Sequence, residues 1–474
     1  MSNPSKTKIE YGDFQTPLSL ARQVGQKLVK LGISPDLIIE PTCGIGNFIE
    51  IATQNFPSTR KIIGLEINVE HLKLLETRKK LWERSENIEL IQGDFFHFNW
   101  EKILENQGSL LILGNFPWVT NSQQSRINST NLPIKSNFSN DSGIKALTGK
   151  SNFDISEWML LQTTSWLENR HGYIAMLCKT SVARKFLAHL HAKRIGIQQA
   201  MLYQIDAKRY FNACVDACLL FCEFKPHIYH YDYLVYQSLE SEQTQNIGYR
   251  NGRVVRDLKK FEQLSQYDGH SKVSWRSGIK HDCSNILELR KKDNHYFNKL
   301  GEIVDVEPKY LYPLLKGSDI ANGRTKHTER YILVTQREVG DITDSIQKDA
   351  PKTWKYLEAH ESYFNARKSR IYHYRSRFSI FGVGNYSFTP YKIAICGLYK
   401  KLAFRLIQPI EQKPVVFDDT VYFLSFDDEA EAILIFEILT SQNTLDFYSS
   451  LIFWDEKRPI KSNILNRFDP YQFG

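Results

Sequence analysis

The sequence predicts an α/β first half built on a mostly parallel, seven-stranded sheet, followed by an α+β second half. Three observations carry that prediction. Short apolar runs recur at the spacing that βα units require. The first four of them end in small or polar clusters: Glu40-Pro41-Thr42, Glu66, Gly93-Asp94 and Gly114-Asn115. After Lys225-Pro226 the alternation fades and Tyr, Lys and Arg become frequent, which puts a domain boundary at 225 and gives domains 1–225 and 226–474.

The bounds agree with this picture. A chain of 474 residues with 42% hydrophobic content can bury two cores. No run of about 18 apolar residues exists, so no membrane span is expected. Met1 to Ile9 is polar and basic and lacks the apolar stretch of a secretory leader. A net charge of +8 is compatible with a polyanionic partner. Seven scattered cysteines suit a reducing compartment. Cys214, Cys218 and Cys222 sit in a strand-like apolar run with no histidine at ligand spacing, so they read as buried thiols and no metal site is expected.

Taken in order, Thr16-Pro17 is an N-cap and first-turn pair for a helix carrying Leu18, Ala21, Val24 and Leu28. Phe14 to Pro17 either simply start that helix or lie over a ligand. Leu37 to Glu40 is a buried strand, and Pro41-Thr42-Cys43-Gly44-Ile45-Gly46-Asn47-Phe48 turns it into a helix. The two glycines let backbone approach a ligand closely. A third glycine at dinucleotide spacing is missing, which argues against a nicotinamide enzyme. Glu40, at the strand end, is placed to accept from a ligand amine.

Ile62 to Glu66 is the second strand, and Glu66 falls 20 residues after Gly46. A carboxylate there can take both hydroxyls of a ribose. A helix over 70–84 returns to a third strand, Ile88 to Ile91, after which Asp94 can accept from a ring amino group with Phe95 against the ring. Leu110 to Leu113 is the fourth strand. It runs straight into Gly114-Asn115-Phe116-Pro117-Trp118, just where open α/β sheets bind ligands. An amide oxygen beside a fixed carbonyl can accept two hydrogen bonds from one amino group, and the adjacent indole offers a flat face. That pairing suits an amino-bearing base such as adenine. The alternative is a strand-end turn with a buried tryptophan.

Residues 119–150 are polar and aperiodic and read as a substrate-facing loop. A helix with Ile155, Trp158, Met159 and Leu161 follows, then strands at Gly172 to Leu177, Leu202 to Asp206 and Ala217 to Phe224. Tyr210 and Phe211 lie between the last two. Phe211 is either core or a second stacking face for a base.

In the second half, Arg367, Lys368, Arg370, Arg375 and Arg377 are interleaved with Tyr372 and Tyr374. The cations suit phosphates and the rings suit sugars or bases. The alternative is a solvated basic face. Trp275 to Lys280 forms a smaller patch of the same kind. Gly382-Val383-Gly384 lacks a strand-to-helix context and reads as a turn, and Asp418-Asp419 has no third ligand nearby. No nuclease constellation is found.

The ordered motifs over residues 11–224 resemble those of the N6-adenine DNA methyltransferases of restriction–modification systems, gamma class. That family's first-strand motif, acid-Pro-x-Cys/Ala-Gly-x-Gly-x-Phe, is matched by Glu40, Pro41, Cys43, Gly44, Gly46 and Phe48. Its upstream cofactor motif is matched by Phe14, Gln15, Thr16 and Pro17, its ribose acid by Glu66 next to Ile67, and its adenine pair by Asp94 and Phe95. Its catalytic Asn-Pro-Pro-aromatic motif is matched by Asn115, Pro117 and Trp118, with Phe116 departing at the second position. There the family uses a backbone carbonyl, which Phe116 also has. Asn152 and Phe153 resemble the next motif, and Phe211 the later base-stacking position.

The resemblance implies a Rossmann-like, class I methyltransferase domain that uses S-adenosyl-L-methionine, with Asn115 also at the cofactor, and a C-terminal target-recognition domain. It implies methyl transfer to the N6 amino group of adenine in duplex DNA, with base flipping, by a cytoplasmic, nucleoid-associated bacterial or archaeal monomer. The restriction endonuclease it protects against is a separate protein. The open alternatives are an N4-cytosine or RNA-base methyltransferase, or a DNA-binding protein with a degenerate methyltransferase fold.

Overall fold

The computed structural model describes residues 15–105, 108–118 and 154–473. Phe14, Asn152 and Phe153 lie outside the described residues. The chain divides into two compact units, Met1–Val254 and Val255–Gly474.

The first unit runs α1 (Leu18–Lys30), β1 (Leu37–Glu40), α2 (Asn47–Asn55), β2 (Lys61–Glu66), α3 (Val69–Lys79), β3 (Ile88–Gln92), α4 (Glu101–Leu104) and β4 (Leu110–Asn115). It continues with α5 (Ile155–Leu167), β5 (Gly172–Lys179), α6 (Thr180–Lys193), β6 (Ile197–Ile205), α7 (Ala207–Phe211), β7 (Ala217–Phe224), β8 (Tyr233–Tyr236), β9 (Thr244–Arg250) and β10 (Arg253–Val255). All form one sheet in the order β10-β9-β8-β6-β7-β5-β4-β1-β2-β3. From β3 across to β5 every pairing is parallel, whereas β7 lies antiparallel between β5 and β6. The chain steps from β1 outward to β3, then crosses back to β4 on the other side of β1. That reversal opens a crevice at the carboxyl ends of β1 and β4.

The elements follow from their residues. Every residue of β1 is buried, and β4 is buried from Leu110 to Gly114. Strands covered on both faces need such continuous apolar runs. Helix α1 presents Leu20, Ala21, Val24 and Leu28 to the core at helical spacing. It starts one residue later than expected. Pro17, not Thr16, is its N-cap, because the Pro17 carbonyl takes the first helical bonds, from Leu20 and Ala21. Helix α3 ends at Lys79 rather than at 84, and Arg84 adopts a positive φ of 58°.

One expectation is corrected: the sheet has ten strands rather than seven. The first compact unit runs to Val254, past the boundary expected at 225. Both follow from the same pairing: β8 pairs parallel to β6, and β9 continues antiparallel to β8. Of the three cysteines expected to be buried, Cys218 and Cys222 are inside β7, but Cys214 precedes the strand and is exposed.

In the second unit, β11 is Arg276–Ser277, β12 Glu288–Lys292, β13 His295–Phe297, β14 Ile303–Val304, β15 Leu311–Leu315 and β16 Arg330–Leu333. Strands β17 (Tyr391–Cys396), β18 (Arg405–Ile407), β19 (Val416–Phe417) and β20 (Val421–Phe426) follow. They build a six-stranded sheet, β14-β13-β12-β16-β15-β19, and a four-stranded sheet, β11-β20-β17-β18. Helices Glu429–Thr440 and Gln442–Leu451 contribute Ile435, Leu439, Phe447 and Leu451 to a core shared with Ile393 and Leu424. Among the described residues, no helix is long and apolar enough to cross a membrane.

Candidate functional site

A cavity lies in the crevice at the carboxyl ends of β1, β2 and β4. Gln15, Thr16, Glu40, Pro41, Cys43, Gly44, Glu66, Ile67, Asp94, Phe95, Asn115 and Pro117 all line it. Five separate segments, the one before α1 and the ends of β1 to β4, thus deliver these residues to one place.

The first turn is shaped by its glycines. Gly44 has φ of +52°, and a Cβ there would meet the Gln15 Oε1 atom at 2.5 Å. The left-handed φ favours glycine here, and the Gln15 amide lies over the position a Cβ would take. Gln15 Oε1 accepts from the Ile45 N–H at 3.2 Å, and Asn47 Nδ2 donates to the Thr16 carbonyl at 2.7 Å. The segment before α1 is thereby tied across the turn. Gly46, with φ of +80°, does not line the cavity; a Cβ there would strike Leu75 of α3 at 2.1 Å. Its role is close packing, and Pro17, the N-cap of α1, also lies outside the cavity.

The two acids differ. Glu66 accepts from the Gly44 N–H at 2.7 Å and from the Asn68 N–H at 2.8 Å. A carboxylate has about four lone-pair positions, so capacity remains for two hydroxyls. Glu40 is buried, and its Oε2 atom has no hydrogen-bond partner among the described residues. Burial, reinforced by the nearby Glu66, pushes its carboxyl well above the usual carboxylate range. Asp94 caps its own turn, accepting from the Phe96 N–H at 3.0 Å and pairing with His97 at 2.6 Å. Phe95 is 5% exposed, and its ring sits among Trp100, Phe116, Trp158 and Trp166.

At the end of β4, Asn115 and Pro117 face the cavity, whereas the Phe116 ring is fully buried and packs edge-on against Phe95 at 5.6 Å. The departure at this position therefore adds a core contact. Trp118 meets Phe211 edge to face, with centroids 4.9 Å apart. The two expected base-stacking rings are in mutual contact within the core cluster. Sequence reasoning missed Asn68, His71, Phe96, Ile155 and Met159, which also line the cavity. The signal available was position alone: each lies within a few residues of a strand or helix end already singled out.

The basic stretch of the second unit separates into two kinds of residue. The Arg367 guanidinium lies 3.7 Å from the Tyr372 ring centroid and donates to the carbonyls of Ser379 at 2.6 Å and His281 at 3.3 Å. Arg377 pairs with Glu361 at 2.9 Å and Glu358 at 3.6 Å. Arg367 is thus tied to backbone carbonyls inside the unit, whereas Arg377 is exposed and its carboxylate partners lie at the surface. Lys368, Arg370 and Arg375 are exposed and make no ion pair among the described residues, and Tyr374 beside them is fully exposed. The smaller patch dissolves further: Trp275 is 4% exposed and packs against Phe404. The Gly382 turn, with φ of +70°, abuts the Gly278 backbone. Among the described residues, no group of three or more His, Cys, Asp or Glu side chains is placed to hold a metal.

Sheet order, first turn and cavity together define an α/β protein with a ligand-sized crevice at the carboxyl ends of its parallel strands. No protein-family model matches the chain. The type II methyltransferase M.NspV of a Nostoc species is 52% identical over 469 residues, covering 98% of both chains. The chain belongs to the type II methyltransferase family of restriction–modification systems. Among solved structures, the type IIL restriction–modification enzyme MmeI in complex with DNA is similar in fold, with a TM-score of 0.51 at 12% identity. That similarity covers 97% of this chain and 66% of the longer enzyme.

Proposed function

We propose that this protein is a site-specific DNA methyltransferase that uses S-adenosyl-L-methionine to methylate the N6 amino group of adenine in duplex DNA, protecting the site from a separate endonuclease. The observation that carries the reading is the convergence of Asn115 and Pro117 with Glu40, Gly44, Glu66 and Asp94 on one cavity, the Trp118 ring lying buried beside it.

The residues present fit the cofactor. Glu40 offers a buried carboxyl oxygen, without a partner among the described residues, to an amine. Glu66 offers its remaining lone pairs to a ribose diol, and the Gly44 turn, with the Gln15 side chain laid over it, forms one wall of the same cavity. Asp94 and the aromatic wall at Phe95 and Phe96 suit an adenine ring. When bound, the cofactor supplies a sulfonium-activated methyl group.

The exocyclic nitrogen of adenine is a poor nucleophile because its lone pair is delocalised into the ring. Asn115 Oδ1 and the Phe116 carbonyl are the two acceptors for its hydrogens. Holding both draws the nitrogen toward tetrahedral geometry and frees the lone pair. This is catalysis by position and electrostatics. The amino group is inaccessible inside the stack, so the base must leave the helix, with Trp118 as its stacking face and Phe211 supporting the indole from the side. Lys368, Arg370 and Arg375 contribute phosphate contacts.

The test is expression in cells that lack adenine methylation, with their DNA read by single-molecule sequencing and Asn115→Ala run in parallel. Methyladenine in one short motif, absent with the variant, is the expected result. Asn115→Ala should lower turnover by at least about 100-fold while cofactor affinity stays within about twofold. Modified cytosine, or a variant with wild-type turnover, overturns the assignment.

A further inference from the structure

We propose that Lys179 is a positioning residue for methyl transfer: its ammonium ties the carbonyl that closes the Asn-Phe-Pro-Trp turn to the carboxylate that begins α5. The proposal rests on the reading of Asn115–Trp118 as the reacting turn.

The placement follows from strand register. Asn115, the last residue of β4, pairs with Leu177 of β5. Lys179 lies two residues further along β5, beside the chain that has just left β4. Its amine donates to the Trp118 carbonyl at 3.2 Å and to Asp154 Oδ2 at 2.5 Å. The other Asp154 oxygen accepts from the Ser156 N–H at 3.1 Å and the Ser156 hydroxyl at 2.6 Å, which caps α5. The Lys179 and Asp154 side chains are only 18% and 8% exposed.

One ammonium therefore links two walls of the site. The first carries Asn115 and Pro117; the second, the opening of α5, carries Ile155 and Met159, which line the same cavity. The double acceptor at Asn115 and Phe116 works only at a fixed separation, and a shift of about 1 Å in such a geometry costs on the order of 100-fold in rate. A charge-assisted bond to the carbonyl three residues past Asn115 fixes that geometry more firmly than a neutral one. Pairing with Asp154 also cancels the lysine charge, so that it does not oppose the positive charge arising on the methylated nitrogen.

Lys179→Met alone would leave the Asp154 carboxylate buried and unpaired, so the test uses Lys179→Met combined with Asp154→Asn. Asparagine retains the N-cap. The readouts are the single-turnover methylation rate on unmodified plasmid DNA carrying the methylated motif, the cofactor dissociation constant, and the melting temperature. The expected result is a rate reduced by about 10- to 100-fold, with cofactor affinity and melting close to wild type. Lys179→Arg, which keeps the charge and the donors, should recover most of the rate. A wild-type rate in the double variant overturns the proposal. So does a rate loss matched by equal losses of cofactor affinity and melting temperature, which marks a merely structural pair. Asn115→Ala measured alongside separates the two failures. If it transfers at the wild-type rate, the reading of the turn is wrong; if it is inactive while the double variant is normal, only the Lys179 link is wrong.

Discussion

Two buried ionisable side chains give pH signatures, one in ligand binding and one in stability. Glu40 holds a carboxyl well above its usual range, owing to burial and to Glu66. A cationic amine seated beside it favours the carboxylate, so ligand binding releases a proton and affinity rises with pH. Calorimetry of S-adenosyl-L-methionine binding in buffers of different ionisation heat measures this directly; proton uptake would contradict the assigned role. Glu40→Gln should abolish the proton release and weaken binding by about tenfold. Lys392 is fully buried in β17, donates to the Thr389 carbonyl at 2.6 Å, and is pushed down to about 7 by desolvation. An unfolded lysine keeps its proton to about pH 10.4. Between these values the unfolded chain binds more protons, so stability rises with pH across that window. Lys392→Met should stabilise the protein by about 1 kcal/mol or more at neutral pH, and the gain should vanish near pH ~10. Denaturant melts at the two pH values check it. Lys392 is one of many lysines in the sequence, and only the tertiary structure reveals that its neighbours exclude water.

At the scale of elements, the basic loop yields a prediction that its sequence alone does not. Alanine at Lys368, Arg370 or Arg375 should lower DNA affinity uniformly across sequences, each reducing the salt-dependence slope by about 1. Arg367→Ala should instead destabilise the second unit by about 1–3 kcal/mol, because it strips a donor from the Ser379 and His281 carbonyls. Salt titrations of binding and thermal melts of the same variants separate the two classes; a slope change with Arg367→Ala would reverse the division. The five cations are equivalent as letters, and the partial burial of Arg367 shows only after residues far apart in the chain have met. The first half was more legible. Its strands β1, β2, β4, β5 and β7 are largely apolar, buried runs, and the ends of β1 to β4 carry the candidate site. Strands β8 and β9 were missed because Tyr233–Tyr236 and Thr244–Arg250 are short, half-exposed and mixed in polarity, and they become strands only against the edge of β6. The link from Lys179 was illegible for a related reason, since it depends on the register of two strands far apart in sequence.

For the whole molecule, the position of the boundary is itself testable. A fragment ending at Val254 retains β8, β9 and most of β10, and should be soluble and bind cofactor. A fragment ending at residue 225 exposes the long edge of β6 and should aggregate. Gel filtration of the two fragments decides between them; equal behaviour would place the boundary at 225. The place of β7 carries a consequence for synthesis. It is the last of the first seven strands to be made, yet it sits between two that precede it, bonded along its length to β5 on one side and β6 on the other. As the chain leaves the ribosome, β5 has no neighbour on its outer side until residues 217–224 arrive. During that interval a long apolar strand stands open to any passing partner, and slower translation lengthens the exposure. Yield of folded protein should therefore be most sensitive to chaperone supply during translation of this short stretch, well before the second unit exists.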